Sequence, residues 1–272
     1  MISALQQQYI GFLNTPQLVF NSDEFPYSNF QLTEVKKNLP KDFKMPDSIR
    51  LGQRMEVLME AALSSHRYQI LSKNLQIIAE KQTLGELDFI VNDLTLKKTI
   101  HLEMVYKFYF YRPELTGNWI DKIIGPNAKD KLRFKLNKMS SHQFPILYRP
   151  ETTSYLKSLN LKAEDLMQQI SFKAQIYLPL NHKINEVEIL KDPIQGFYFR
   201  VEELEFFNKK DFSFYIPHKN DWVSAPILES IKTDSFSVFY KKISAALKEQ
   251  RSCIFWVFES DIKVQRHFAT WW

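Results

Sequence analysis

The sequence is poor in glycine, with six residues in 272 where roughly 7% is usual. So few cannot build a collagen, a glycine-rich linker or a low-complexity tail. Neither G-x-G-x-x-G nor G-x-x-x-x-G-K-[ST] occurs, which disfavours the nucleotide-cofactor enzymes built on those phosphate cradles. Cysteine is scarcer still. Cys253 stands alone, which excludes an internal disulfide and a multi-cysteine zinc site and fits a reducing cytosol. None of the six histidines pairs with another at i, i+4, and no G-x-S-x-G is present. No apolar run approaches about 18 residues, and Met1-Ile2-Ser3-Ala4-Leu5-Gln6 does not read as a secretory signal. A cytoplasmic protein without a membrane partner is expected.

Aromatic residues are abundant, with 22 Phe, 12 Tyr and 5 Trp, so material for a sizeable core is present. The net charge of +5 and pI near 9.0 favour an anionic partner mildly. The patterning predicts a short helix over 4–13, then an irregular polar stretch to residue 46. A second helix is predicted from a cap at Asp47 to Ser64, with Leu51, Met55, Leu58, Met59, Ala62 and Leu63 on one face and Glu56 on its shoulder. Strand-like runs follow at 74–79, 84–92 and 99–110. A basic helix is predicted over 128–142 with Asn127 as its cap, and then a strand over 172–180. This order argues for a mixed α/β domain over 47–180, preceded by an arm over 1–46. The segment 181–272 reads as an aromatic-rich strand and helix extension, either separate or completing the same sheet.

The chemistry concentrates in Gly85-Glu86-Leu87-Asp88-Phe89-Ile90-Val91 and His101-Leu102-Glu103-Met104-Val105-Tyr106-Lys107-Phe108. Strand side chains alternate between faces. Leu87, Phe89, Val91, Ile100, Leu102 and Met104 make a core face, whereas Glu86, Asp88, Ile90, His101, Glu103, Val105 and Lys107 share the other. A turn centred between Thr95 and Leu96 sets Asp88 opposite Glu103. Facing carboxylates destabilise a strand pair unless something neutralises them. A divalent cation or a shared proton would do so. The plain alternative is a solvated face carrying a Glu86–Lys107 ion pair.

An acid ending one strand, a Glu and a Lys on the next, and a Glu on the preceding helix resemble the PD-(D/E)XK nuclease-like superfamily. The chain also resembles a bacterial domain-of-unknown-function family placed within it. That likeness rests on Leu51-Gly52-Gln53-Arg54-Met55-Glu56, Thr83 to Phe89, His101 to Tyr109, Gly125-Pro126-Asn127 with Asp130 and Lys131, and His142-Gln143. The resemblance implies a restriction-endonuclease-like sheet flanked by helices. It implies Asp88 and Glu103 as acids for Mg²⁺ or Mn²⁺, Lys107 as the catalytic lysine and Glu56 as the helix-borne acid. Gln143 and the helix cations would contact substrate.

The superfamily usually separates its acid and lysine by one residue, but here three intervene and Val105 fills the slot. At the rise of an extended strand that sets their Cα atoms about 13 Å apart in place of about 7 Å. Either Lys107 keeps its role and the acid has shifted, or Glu103 alone is retained. Glu86 is an alternative carboxylate. In the basic segment Lys131, Lys135 and Lys138 form a cationic stripe with Arg133 nearby, suited to phosphates. The expected activity is metal-dependent hydrolysis of nucleic-acid phosphodiesters. The alternatives are a silent nuclease fold that binds nucleic acid through the basic helix, and a protein-interaction module.

Overall fold

Left-handed backbone at Ser48, φ +56°, prevents a helix from starting at Asp47. In the computed structural model, which describes residues 3–64, 66–182, 190–208, 211–259 and 263–272, that helix is α2, Leu51–Leu63. Arg50 caps it in place of Asp47, its amide donating to Gln53 Oε1 at 3.0 Å. The preceding helix α1 spans Ala4–Asn14, close to the range its pattern indicates. The remaining elements are β1 Ser28–Asn29, β2 Tyr68–Ala79, β3 Gln82–Asp93, β4 Lys98–Tyr111, β5 Ile123–Ile124, α3 Leu132–Lys138, α4 Pro150–Ser158, β6 Leu166–Pro179, β7 Ile194–Arg200, β8 Ser213–Tyr215, α5 Phe236–Lys248, β9 Cys253–Phe258 and β10 Val264–Thr270. Parallel and antiparallel pairings both occur, and the fold is mixed α/β.

The chain forms two compact units. The hairpin unit comprises Gln17–Tyr106 and Phe134–Lys173, and the terminal unit comprises Met1–Pro16, Lys107–Arg133 and Ala174–Trp272. In the hairpin unit β2 pairs with β3 and β3 with β4, all antiparallel, and β1 lies parallel to β6. A register irregularity between Ile70 and Ser72 interrupts the alternation of β2, which is why the sequence pattern shows only its second half. Ile77, Leu87, Ile90, Ile146, Leu147, Leu156 and Leu166 form a buried cluster beneath the strands.

In the terminal unit β6 and β10 run parallel to β7, and β9 joins β10 to β8 in antiparallel pairs. Phe199, Phe207, Phe214, Phe239 and Phe255 are buried together there. The aromatic runs at 197–199 and 212–215 therefore contribute core, with Phe199 and Phe214 at their centres. Val201–Phe207 is a 3₁₀ helix. Trp272 folds back, its indole N–H donating to the Pro126 carbonyl at 3.1 Å.

The basic helix is shorter than its composition indicates. Ala128 adopts φ +60°, and Asn127 Oδ1 accepts from the amides of Lys129 and Asp130 at 3.1 and 3.2 Å. This Asx turn closes a loop and does not cap a helix. Lys131 makes a strand-like bridge to Ile124, and α3 begins only at Leu132. After Lys138 the chain widens into a π-type turn over Met139–Gln143 and tightens to 3₁₀ over Phe144–Tyr148.

Candidate functional site

The hairpin register is the one the turn position indicates. Val91 pairs with Ile100, Ile90 with His101 and Phe89 with Leu102. One step further, Asp88 lies opposite Glu103, and there side chains replace the backbone ladder. The Met104 amide donates to Asp88 Oδ2 at 2.8 Å, and the Asp88 amide donates to the Glu103 carboxylate. Each acid thus caps the strand of the other. On β2, between the pairs Lys73–Phe89 and Leu75–Leu87, Asn74 lies opposite Asp88. It takes a left-handed φ of +48°, which Asn tolerates better than most residues. Its Nδ2 donates to Glu86 Oε1 at 2.9 Å and to Glu56 Oε2 of α2 at 3.2 Å. Two adjacent strands, β3 and β4, and helix α2 bring Glu56, Glu86, Asp88 and Glu103 together, with Asn74 of β2 linking Glu56 to Glu86.

The face carrying these acids is largely covered, with Glu86 and Asp88 half-buried. Ile90, His101, Glu103 and Val105 are all buried, with Glu103 only 1% exposed. The cover includes Phe144, whose ring meets His101 edge-on at 5.7 Å and whose carbonyl accepts from Gln168 Nε2 at 2.8 Å. The same Nε2 lies 3.0 Å from His101 Nδ1. A carbonyl only accepts, so the Gln168 nitrogen faces it, and Nδ1 must accept the second amide proton. The imidazole proton therefore sits on Nε2 and is donated to Glu103 Oε1 at 2.8 Å. His101 is a neutral donor that positions Glu103, with burial lowering its pKa to about 4.

No ion pair neutralises Asp88 or Glu103 among the described residues. Burial pushes Glu103 up to about 7, against hydrogen bonds from the Asp88 amide and Gln143 and the field of Lys135. Burial, then the charge of Glu103, pushes Asp88 well above the usual carboxylate range, with the Met104 amide and Lys135 opposing. Glu56 is raised by burial and by Glu86, and Asn74 offsets part of this. Two facing acids in this state hold a proton or require a cation.

Gln143 joins the group, its Nε2 also donating to the Glu86 carbonyl at 3.3 Å. Lys135 is the cation of this unit whose charge reaches both acids. Asn74, Gln168 and His101 complete the cluster. Asn74 carries a sequence signal, as does Gln76, which pairs with Glu86 across β2 and β3: alternation puts polar side chains where apolar ones would pack.

The other expected residues have partners elsewhere. Lys107 belongs to the terminal unit, where its Nζ lies 2.6 Å from Asp130 Oδ2. Glu86 accepts hydrogen bonds from Asn74 and Gln76. Arg133 is clamped on Asp121 through two bonds, 2.8 and 2.9 Å, which hold the Asp121 carboxyl below its usual range. Lys131 and Lys138 are exposed.

The oxygen donors of Asp88 and Glu103 suit a hard cation such as Mg²⁺ or Mn²⁺. No group of three or more His, Cys, Asp or Glu is arranged to hold a metal among the described residues. The chemistry fits an ion held by two carboxylates and completed by water or phosphate oxygens, the usual coordination of Mg²⁺. His101 is not available as a ligand, because both of its nitrogens are engaged.

No curated protein and no solved structure matches the chain significantly. The family model of the domain of unknown function DUF1853 matches residues 16–266, a span that includes every acid of the cluster. The chain belongs to that family.

Proposed function

We propose that the protein is a metal-dependent phosphodiesterase of the PD-(D/E)XK nuclease-like, restriction-endonuclease-like type, acting on nucleic acid. Asp88 and Glu103 would hold Mg²⁺ or Mn²⁺. The observation that carries this reading is the facing Asp88–Glu103 pair on the hairpin, Glu103 buried and Asp88 half-buried, with no ion pair to either acid among the described residues. A bound divalent ion supplies a lowered water pKa and charge neutralisation at phosphate. The residues of this chain do the rest. Asp88 and Glu103 keep the fixed geometry that their crossed amide bonds impose, and His101 locks the orientation of Glu103. Lys135 offsets the charge that develops on the phosphate oxygens. Glu56, whose pKa is raised, is the acid beside the pair best placed to hold or accept a proton.

The test is cleavage of plasmid and single-stranded oligonucleotide by the full chain with Mn²⁺. Metal-dependent cleavage is expected. Asp88→Asn and Glu103→Gln should abolish it, and Lys135→Met should slow it by about a hundredfold, the scale of one electrostatic contact. Undiminished cleavage by Asp88→Asn would overturn the assignment. Binding of the oligonucleotide without cleavage by the wild type would favour a non-catalytic nucleic-acid-binding fold instead.

A further inference from the structure

A concavity of about 790 Å³ lies wholly within the terminal unit. That size suits a ligand of nucleotide dimensions and exceeds what a lone anion needs. Its apolar lining includes Phe108, Ile216, Pro217, Trp222 and Ala246, and its cationic lining is Lys107, Lys219, Lys242 and Arg251. Asp130 is the single carboxylate in that lining. An apolar wall with several cations and one acid is the complement of an organic anion.

The cations are not equivalent. Lys107 is taken up by Asp130 at 2.6 Å, and Lys242 by Asp234 at 2.6 Å. Among the described residues Arg251 pairs only with Glu249, two residues away, and both side chains are 65% exposed. Such a pair contributes little and is readily exchanged for another anion. Lys219 forms no ion pair among the described residues, and its ammonium sits 5.7 Å from the centroid of the Trp222 ring. Two positive charges are thus open to a ligand, which matches one phosphate dianion.

The walls are fixed before any ligand arrives. The Pro126 carbonyl accepts from Ser252 Oγ at 2.9 Å and from the Trp272 indole at 3.1 Å, anchoring the turn that carries Asn127. Trp222 is held edge-on by Phe108 at 5.5 Å and Phe268 at 5.2 Å. Cys253 lines the same cavity, but burial raises its thiol to about 11, so it stays protonated and is no nucleophile. The cavity is equipped to bind and not to react.

We propose that this cavity binds an organic phosphate of nucleotide size. Its phosphate is held by Lys219 and Arg251, and its apolar body lies against Ile216, Pro217 and Trp222. Every residue involved belongs to the terminal unit, so the proposal does not rest on the acidic cluster.

The experiment is calorimetric titration of the full chain with adenosine monophosphate, inorganic phosphate and adenosine, with chelator present to remove divalent ions. Adenosine monophosphate should bind at least about tenfold tighter than either fragment, because only it engages both the cations and the apolar wall. Lys219→Ala and Arg251→Ala change exposed side chains, and each should weaken binding about tenfold. Asp88→Asn should leave binding unchanged. Equal affinity for adenosine monophosphate and either fragment would overturn the proposal. So would unaltered binding by the Lys219→Ala/Arg251→Ala double variant, or loss of binding in Asp88→Asn.

Discussion

Strand β3 carries two buried or half-buried aspartates, five residues apart, that the protein treats in opposite ways. Asp93, at its end, is 2% exposed. Its Oδ2 accepts from Arg67 Nε and Nη2 at 3.1 and 2.8 Å, and its Oδ1 from the amides of Thr95 and Leu96 at 3.0 and 2.9 Å. Burial alone would raise its pKa, but Arg67 and these amides more than offset that and hold it below the usual range. Asp88 receives one amide and a second carboxylate for a neighbour, and is pushed up. The same strand shows that this fold can neutralise a buried acid completely where the acid serves structure. Leaving Asp88 and Glu103 uncompensated therefore costs stability, and a cation-binding role is what that cost would support.

The largest effect should come from breaking the compensated site. Arg67→Ala leaves Asp93 buried and unpaired, and should destabilise the fold by about 3–5 kcal/mol in urea unfolding. A loss below about 1 kcal/mol, the size of a surface pair, would show that Asp93 is not clamped as described.

The uncompensated site should respond to pH. Glu103 titrates near 7 in the folded protein against 4.5 when unperturbed, so the folded state binds more protons between those limits. Its contribution to stability is full below about pH 4.5 and lost as the pH rises to about 7. His101 and His267, both lowered to about 4 by burial, act in the opposite sense below their unfolded value of 6.5. The comparison that isolates Glu103 is therefore wild type against Glu103→Gln, which keeps an acceptor for His101. Without metal, the variant should gain on the wild type by roughly 1 kcal/mol per pH unit between pH 4.5 and 7. A pH-independent difference would contradict the burial of an ionisable Glu103. A smaller gain is expected from Asp88→Asn, which removes one of two facing charges. Metal-free at pH 8 it should be more stable than the wild type by on the order of 1 kcal/mol, and a net loss in thermal or urea unfolding would count against like-charge strain.

Much of this comparison was legible in the sequence. The period-two alternation and the turn at 94–97 gave the correct register, hence Asp88 opposite Glu103, whereas the amphipathic stripe of α2 put Glu56 only on the shoulder of its apolar face, and its link to the acids came from the family resemblance. What stayed hidden depends on distant segments. The sequence left a solvated hairpin face open as an alternative because its cover, Phe144 and Gln168, lies some forty to sixty-five residues further along the chain. The basic segment reads as one long helix because nothing in its composition announces the left-handed Ala128. Asn74 could not be recognised as the hinge between Glu56 and Glu86 until β2 was aligned beside β3. Arg67 carries no local mark of its pairing with Asp93, since the contact spans a whole strand pair.

The most direct test of the central claim is Mn²⁺ titration of the wild type at pH 6.5 by calorimetry in two buffers of different ionisation enthalpy. Acids that hold protons in the empty site must release them when a cation binds. The account predicts a binding heat that varies with the buffer and reports net proton release, lost in Asp88→Asn. The absence of Mn²⁺ heat in the wild type, or equal heats in the two buffers, would contradict it.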